Sequence, residues 1–397
     1  MRIVIDLQSA QSTFSRNRGI GRYSLSLTKT IIRNRGEHEI LVALSGLFPE
    51  TILPLREELD SFLPQSNIHV WHAPGRVNFI DENNNIRRKV AEYIREAFLI
   101  TLNPDMVLIT SIFEGYLDDV VTSIGMMPRK IPTASILYDF NPLIDPPPCF
   151  NNVDVRRWYE KKIEHLRKSD ILLSTSKFSR EEGIACLNSS DEFTINISMA
   201  SEKHFNPLSI NHEKEHLVRI RYGLKKAYVM YTGGIDYCKN IEGLIRAYSN
   251  LPITIREKNQ LAIVCSIQET DHIKLSELAK NCGLEPHEVV FTGYIPEEDL
   301  ITLYSLCKTF VLPLWHEGFG LLALEAMSCG KAVIGANTSS LPEVIGVKDA
   351  LFDPRNDQSI TDKLMQVISD DDFRSQLEIH GLEQAKKKSW DKCAMTA

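Results

Sequence analysis

The sequence lacks three features, and each absence excludes a class of protein. No apolar run approaches the roughly 20 residues that a transmembrane helix needs. Lys and Arg number 45 against 52 Asp and Glu, and the net charge of −7 argues against a general nucleic-acid binder. The eight cysteines form no C-x-x-C pair and have no histidine neighbours at zinc spacing. We therefore expect neither a nucleic-acid partner nor a metal.

Scattered, unpaired cysteines are typical of proteins in a reducing cytosol. Met1 and Arg2 lead directly into a strand pattern, so we expect no signal peptide and a cytoplasmic location. A basic run over residues 156–168 would suit contact with the anionic inner face of a membrane. The alternative for this run is the solvated face of a helix that packs on a core. Any membrane association is expected to be peripheral or mediated by a membrane-bound partner.

Short apolar runs alternate with amphipathic helical patterns along the chain, which predicts an α/β fold with parallel sheets. A length of 397 residues favours two domains, and the polar segment 201–217 marks the boundary. We predict doubly wound domains over residues 1–205 and 206–397. The predicted strands are 3–7, 40–44, 106–110, 133–138, 171–175, 227–232, 261–265, 289–291, 309–314 and 332–335. Ligands of open α/β sheets bind at the carboxyl ends of the strands, so we expect the two sheets to face a shared cleft.

The most informative motif is a pair of glutamates, Glu317 and Glu325, separated by a Gly-Phe-Gly turn and part of an apolar helix. Eight residues of helix rise span about 12 Å, which roughly matches the distance from ribose to hexose in a nucleotide-sugar. Glycines allow close approach of the backbone, and the helix N-terminus offers N–H groups to a diphosphate. The alternative is a helix-capping acid followed by a solvated acid. A carboxylate among apolar residues needs a partner, however, and a ribose diol would suit Glu325.

Two glycine-containing loops follow predicted strands. The loop of Gly19, Gly21 and Arg22 offers N–H groups and a cation to an anion, or else its glycines serve packing alone. The loop of Gly234 and Lys239 places an ammonium group near a helix start, where it would neutralise a departing diphosphate. The alternative for Lys239 is an ordinary solvated lysine.

Three further strand ends carry polar or aromatic residues. Tyr138 and Asp139 end one strand, and Asp139 is a candidate for binding sugar hydroxyls or, alternatively, a turn cap. Glu114 is a candidate acceptor contact, with a solvated loop acid as the alternative. Tyr294 and Ile295 follow another strand, where the backbone would meet a nucleobase edge.

These motifs together resemble the retaining glycosyltransferases of family 4, which have the GT-B fold. The resemblance rests on Glu317 to Leu321, on Leu324 to Gly330, and on Ser339 to Val344. The segments Arg18 to Tyr23, Leu137 to Asp139 and Gly233 to Asp236 are most similar to bacterial mannosyltransferases of O-antigen and related polysaccharides.

The resemblance implies a role for each candidate residue. Glu317, Lys239 and Asp139 are the implied catalytic residues, and Glu114 and Tyr138 are the implied acceptor contacts. The implied donor site comprises Gly19, Gly21, Arg22, Gly234, Lys239, Tyr294, Ile295, Glu317, Gly318, Phe319, Gly320, Leu321 and Glu325. The implied reaction is metal-independent hexosyl transfer without a cofactor, from a nucleotide-sugar, preferably GDP-mannose, to a glycan acceptor that is carried on a lipid.

Other interpretations stay open. UDP-sugars or other GDP-sugars are alternative donors, and an epimerase or a phosphorylase is an alternative enzyme. Gly234 and Cys238 stand where many relatives carry an arginine, which favours a catalytically silent carbohydrate-binding module of a larger protein. The segment from Ser389 leads, in relatives, into a helix that crosses back to the first domain. We expect this crossover helix to be missing here, and the chain to be a shortened form or to precede a second glycosyltransferase module in a longer polypeptide.

Overall fold

The computed structural model describes residues 1–397, with the exception of the side chain of Cys149. The chain forms two compact units. The first comprises Met1–Met199 together with Trp390–Ala397, and the second comprises Ala200–Ser389. The unit boundary therefore lies slightly before the predicted one, and residues 206–397 do not form a single domain. Among the described residues, no helix combines the length and the apolarity that crossing a bilayer requires.

The first unit is a seven-stranded sheet with helices between the strands. Its strands are β1 (Arg2–Asp6), β2 (Glu39–Ser45), β3 (Ile68–Trp71), β4 (Met106–Ile109), β5 (Thr133–Leu137), β6 (Ile171–Ser174) and β7 (Thr194–Asn196). Its helices up to the boundary are α1 (Gly19–Arg33), α2 (Pro49–Leu59), α3 (Asn85–Thr101), α4 (Asn141–Ile144), α5 (Val153–Leu166) and α6 (Lys177–Leu187). The strand order is β3-β2-β1-β4-β5-β6-β7, and every pair is parallel.

Apolar residues on the central strands build the core of the first unit. Val4 of β1 pairs with Leu41 of β2 on one side and with Val107 of β4 on the other. All three are buried in one cluster that also contains Ile163 and Leu166 of α5. The strands are apolar on both faces because helices cover both faces, as expected for a parallel sheet.

The second unit is a six-stranded sheet of the same kind. Its strands are β8 (Ala227–Thr232), β9 (Asn259–Val264), β10 (Val289–Phe291), β11 (Thr309–Leu312), β12 (Val333–Ala336) and β13 (Leu351–Phe352). Its helices are α7 (His212–Arg221), α8 (Ile241–Ser249), α9 (Ile253–Arg256), α10 (Glu269–Asn281), α11 (Glu297–Leu306), α12 (Leu321–Ser328), α13 (Leu341–Ile345), α14 (Asp357–Ser369) and α15 (Asp371–Lys386). The order β10-β9-β8-β11-β12-β13 is again fully parallel. The loops that follow β8 and β11 are therefore neighbours.

The last helix, α16 (Trp390–Thr396), belongs to the first unit. The indole ring of Trp390 lies 5.4 Å from the ring of Tyr23 in α1, and Cys393 is buried. Asp391 accepts hydrogen bonds from Arg33 and Asn34 at the end of α1. The expectation that the returning helix is missing was wrong, because these few residues carry enough aromatic and ionic contacts to pack on α1.

Candidate active site

The structure joins two of the predicted site residues in an ion pair. Lys239 follows β8 and Glu317 follows β11, and the Lys239 Nζ atom lies 2.8 Å from Glu317 Oε2. The two side chains are 21% and 25% exposed, so the pair is largely shielded but still open to a ligand. Neither residue is the solvated side chain or the plain helix cap of the alternative interpretation.

Burial alone would lower the pKa of Lys239, but the adjacent Glu317 carboxylate, together with Cys238 and Tyr231, outweighs the effect of burial. The net result holds the pKa of Lys239 above its ordinary value, so the ammonium form persists throughout the physiological range. The site therefore presents a fixed positive charge and a carboxylate oxygen side by side.

Asn240 holds the loop of Lys239 against the loops that follow β11 and β13. Its amide donates to the carbonyl oxygens of Pro313 (3.0 Å) and Pro354 (2.9 Å), and its φ of +54° is left-handed. The Trp315 N–H also donates to the Cys238 carbonyl at 2.9 Å. Sequence reasoning missed Asn240, although asparagine is among the few residues that adopt this conformation readily before a helix.

The Glu317 backbone is fixed by the serine pair of the motif at residues 339–344. The Glu317 N–H donates to Ser339 Oγ at 3.1 Å, and the Ser340 hydroxyl donates to the Glu317 carbonyl at 2.8 Å. This motif therefore serves to position the glutamate backbone.

The turn after Glu317 requires glycine at position 320. Gly320 has a φ of +91°, and a Cβ atom there would lie 2.6 Å from the Leu341 side chain. Gly318 and Phe319 are buried, and the Phe319 ring faces the Lys388 ammonium at 5.5 Å. Helix α12 begins at the half-buried Leu321. The turn thus leads from Glu317, a member of the ion pair, into the N-terminus of α12.

Glu325 lies inside the second unit rather than at its surface. It is 1% exposed, and the Tyr304 hydroxyl donates to its carboxylate at 3.3 Å. Tyr304 is itself fully buried against Phe310 and Phe205. The expected partner of Glu325 is thus at least partly a protein hydroxyl, and its ribose role stays a prediction. Tyr304 carried no signal in the sequence.

The remaining donor candidates of the second unit occupy its loops. Gly234 is exposed, and its carbonyl accepts from the Tyr231 hydroxyl at 2.5 Å. Tyr294 is 77% exposed and Ile295 is half-buried. Their contacts with a nucleotide stay predictions.

In the first unit, Gly21 has a packing role. A Cβ atom at Gly21 would lie 2.3 Å from the Ser15 carbonyl oxygen, and the Gly21 N–H already donates to that oxygen at 3.0 Å. The expectation that Gly21 offers its N–H to an anion is corrected by this bond. Gly19 begins α1 with open space around its Cβ position, and Arg22 is half-buried. Anion binding by these two residues stays a prediction.

The acceptor candidates also lie in the first unit. Glu114 is 5% exposed and accepts from the Ser15 hydroxyl at 2.7 Å, so it is not a solvated loop acid. Burial raises the pKa of Glu114 to about 7, against the opposing effect of that hydrogen bond. The Tyr138 hydroxyl donates to the Thr110 carbonyl at 3.0 Å. Asp139 accepts from the Asn141 N–H at 3.1 Å, which is the turn-capping alternative. Its catalytic role stays a prediction.

Two comparisons of sequence place the chain among known proteins. Residues 214–384 match the family model described as glycosyl transferases group 1. The chain is 32% identical over 398 aligned residues to the serotype-specific mannosyltransferase WbdA of Escherichia coli, which covers all of this chain and 47% of that protein. It is 35% identical over 249 residues to the O-antigen chain mannosyltransferase B of Escherichia coli, covering 62% of this chain and 64% of that protein. The chain thus spans about half the length of the curated WbdA relatives that it matches.

The fold is also known from solved structures. The sucrose-phosphate synthase of Thermosynechococcus elongatus superimposes with a TM-score of 0.74 at 16% identity, over 100% of this chain and 96% of that one. This similarity confirms the predicted α/β fold of GT-B type, with two doubly wound parallel sheets. Over residues 214–384 of its second unit, the chain is therefore similar to the glycosyl transferases group 1 family.

Proposed function

We propose that the chain is a retaining α-mannosyltransferase that uses GDP-mannose to extend a bacterial polysaccharide such as an O-antigen. The mannosyltransferase names of its relatives support the sugar. The observation that carries the proposal is the ion pair of Lys239 and Glu317, with the turn after Glu317 leading into the N-terminus of α12. A bound diphosphate needs a cation and N–H donors, and a bound hexose needs a carboxylate, all within a few ångströms.

In this proposal Lys239 binds the diphosphate and Glu317 accepts hydrogen bonds from hydroxyls of the hexose. The bond between the anomeric carbon and the diphosphate oxygen breaks, and the acceptor oxygen bonds to the same face of the sugar. The acceptor proton passes to the departing diphosphate oxygen. The enzyme contributes position and charge stabilisation, because the persistent ammonium of Lys239 meets the developing negative charge.

The primary test is transfer from radiolabelled GDP-mannose to a mannose-containing acceptor on a hydrophobic aglycone. The wild type should form product and Glu317→Gln should not, while both bind GDP. Release of the labelled mannose from the product by α-mannosidase supports retention of the α configuration. Full activity of Glu317→Gln, or product sensitive only to β-mannosidase, would refute the proposal.

The donor, the metal requirement and the location are tested separately. GDP should raise the melting temperature more than UDP or ADP does. Activity should survive EDTA, because the proposal assigns charge neutralisation to Lys239. Cell fractionation should find the protein on the cytoplasmic side, bound peripherally to the inner face of the membrane. There it would reach a lipid-linked acceptor and work with a second transferase module of the same polypeptide.

A second candidate function is a catalytically silent carbohydrate-binding module. The observation that favours it is the presence of Gly234 and Cys238 where many relatives carry an arginine. This candidate predicts binding of GDP or mannan without turnover, under conditions in which the full-length relatives are active.

A further inference from the structure

The first unit contains a cavity of about 440 Å³ that none of the predicted site residues lines. It lies between the C-terminal part of α3, the loop before β5, and the residues that join α5 to β6. The cavity is thus at the amino ends of β5 and β6, whereas Glu114 and Tyr138 follow the carboxyl ends of β4 and β5. Its volume falls within the range of small-molecule sites, about 300–1,000 Å³.

The floor of the cavity is aliphatic. It is formed by Leu99, Ile100, Val107, Ile109, Ile124 and Ile131. Such a surface would gain free energy by covering a hydrocarbon group.

The acidic residues of the cavity are already used by the protein. Glu96 accepts from the Ser123 hydroxyl (2.7 Å) and from two backbone N–H groups, Met126 (2.7 Å) and Met127 (3.1 Å). Asp170 accepts from Lys130 at 2.6 Å and from the Thr133 N–H at 3.0 Å. These bonds hold the wall of the cavity in place, and both carboxylates already have hydrogen-bond donors within the protein.

Within the described part of the chain, three cationic side chains at the rim, those of Arg129, Arg167 and Lys168, have no carboxylate partner. Among the described residues, the side chains of Arg167 and Lys168 have no hydrogen-bond acceptor or carboxylate partner, and Arg129 has only a 3.5 Å contact with Asn103. The stem of Lys168 lies over Gly125, where a Cβ atom would be 3.2 Å from its Cδ. Arg95 also lines the cavity, but its charge is neutralised by Asp6, to which it donates a hydrogen bond. The rim therefore carries an excess of positive charge over an aliphatic floor.

We propose that this cavity binds a phosphate ester with an aliphatic group, the phosphate at Arg129, Arg167 and Lys168 and the hydrocarbon on the floor. A phosphate fits better than a carboxylate because three cations match a dianion with several acceptor oxygens. A competing explanation is that Arg167 and Lys168 only stabilise the C-terminus of α5. That explanation predicts an effect on stability and no effect on ligand binding.

The probe is octyl phosphate, measured by isothermal titration calorimetry at low salt below its critical micelle concentration. Octyl phosphate should bind more tightly than either inorganic phosphate or octanol. The double variant Arg167→Gln/Lys168→Gln should weaken binding at least tenfold, since each lost ionic contact is expected to cost about fivefold or more. Lys89→Gln, an exposed lysine of α3 outside the cavity, is the matched control and should not change the affinity.

Three outcomes would overturn the proposal: equal binding of octanol and octyl phosphate, unchanged affinity in the double variant, or displacement of octyl phosphate by GDP. If the double variant loses its circular dichroism spectrum, the single variant Arg129→Gln gives the same test. Vesicles then distinguish the source of the ligand. Flotation with vesicles that contain phosphatidic acid, whose headgroup is a phosphate monoester, identifies a membrane lipid if it depends on Arg167 and Lys168. Octyl phosphate binding without flotation identifies a soluble ester.

Discussion

Replacing Lys239 by alanine should damage both stability and catalysis, and the two effects can be estimated separately. Removing one member of a fully buried ion pair costs about 3–5 kcal/mol, because the other charge is left without a partner. A fifth to a quarter of each side chain is exposed here. We therefore expect a smaller loss of about 1–2 kcal/mol, or about 3–6 °C in melting temperature for a unit of this size.

The catalytic loss should be larger than the loss of stability. An ionic hydrogen bond to a developing charge contributes about 2–3 kcal/mol, so kcat/KM for the GDP-mannose reaction should fall about 10²-fold. Lys239→Arg keeps the charge and should recover part of the activity. The control is Lys225→Ala, because Lys225 is exposed at the start of the same sheet and lies outside the predicted site.

A double-mutant cycle with Glu317→Gln separates the pair from its surroundings. Because Lys239→Ala leaves an uncompensated carboxylate, adding Glu317→Gln should restore about 1 kcal/mol of stability while activity stays lost. Urea denaturation of the four proteins measures this coupling. An unchanged kcat/KM in Lys239→Ala would remove Lys239 from the site, and additive stability losses would show that the two charges do not interact.

Three further predictions concern the first unit. Gly21→Ala should destabilise it by at least about 2 kcal/mol, because the added methyl group would clash with the backbone of residues 15 and 16. Gly19→Ala should change the stability by no more than about 0.5 kcal/mol, because the space around Gly19 is open. Thermal unfolding of the two variants tests this difference, and equal effects would contradict the packing role of Gly21. Burial holds the pKa of Glu114 in the folded state near 7, above its value in the unfolded state, so the native state binds more protons between about pH 4.5 and 7. The free energy of unfolding should therefore fall as the pH rises through that window. Glu114→Gln should reduce this pH dependence, measured by urea denaturation at several pH values, and an unchanged dependence would exclude Glu114 as its source. Trp390→Ala should cost about 2 kcal/mol through the lost contact with Tyr23, and an unchanged melting temperature would show that α16 adds no stability.

Much of the fold could be predicted because its strands are apolar on both faces. All ten predicted strands are present, and those at 227–232 and 289–291 have the predicted bounds. The missed strands β3, β7 and β13 are all edge strands, and they are two to four residues long. The resemblance implied that a helix after Ser389 returns to the first domain, but the expectation overlooked that the short segment Trp390–Thr396 forms it.

The site was predictable where chemistry depends on local spacing and unpredictable where it depends on distant contacts. Glu317 and Lys239 could be chosen as candidates from the sequence of their loops, but their ion pair depends on β8 and β11 being neighbours in the sheet. Tyr304 and Asn240 reach the site from helix and loop positions that have no motif. At Gly21 the structure supports the packing alternative, because a Cβ atom there would meet the backbone of residues 15 and 16, and contact with the donor stays a prediction.

The return of Trp390–Ala397 to the first unit has a consequence for synthesis on the ribosome. The second unit is an uninterrupted stretch, so it can complete its own sheet while the surface of α1 beneath Trp390 is still bare. The first unit therefore receives its helix α16 only after the second unit has been made, and until then Tyr23 lacks the Trp390 ring that packs on it.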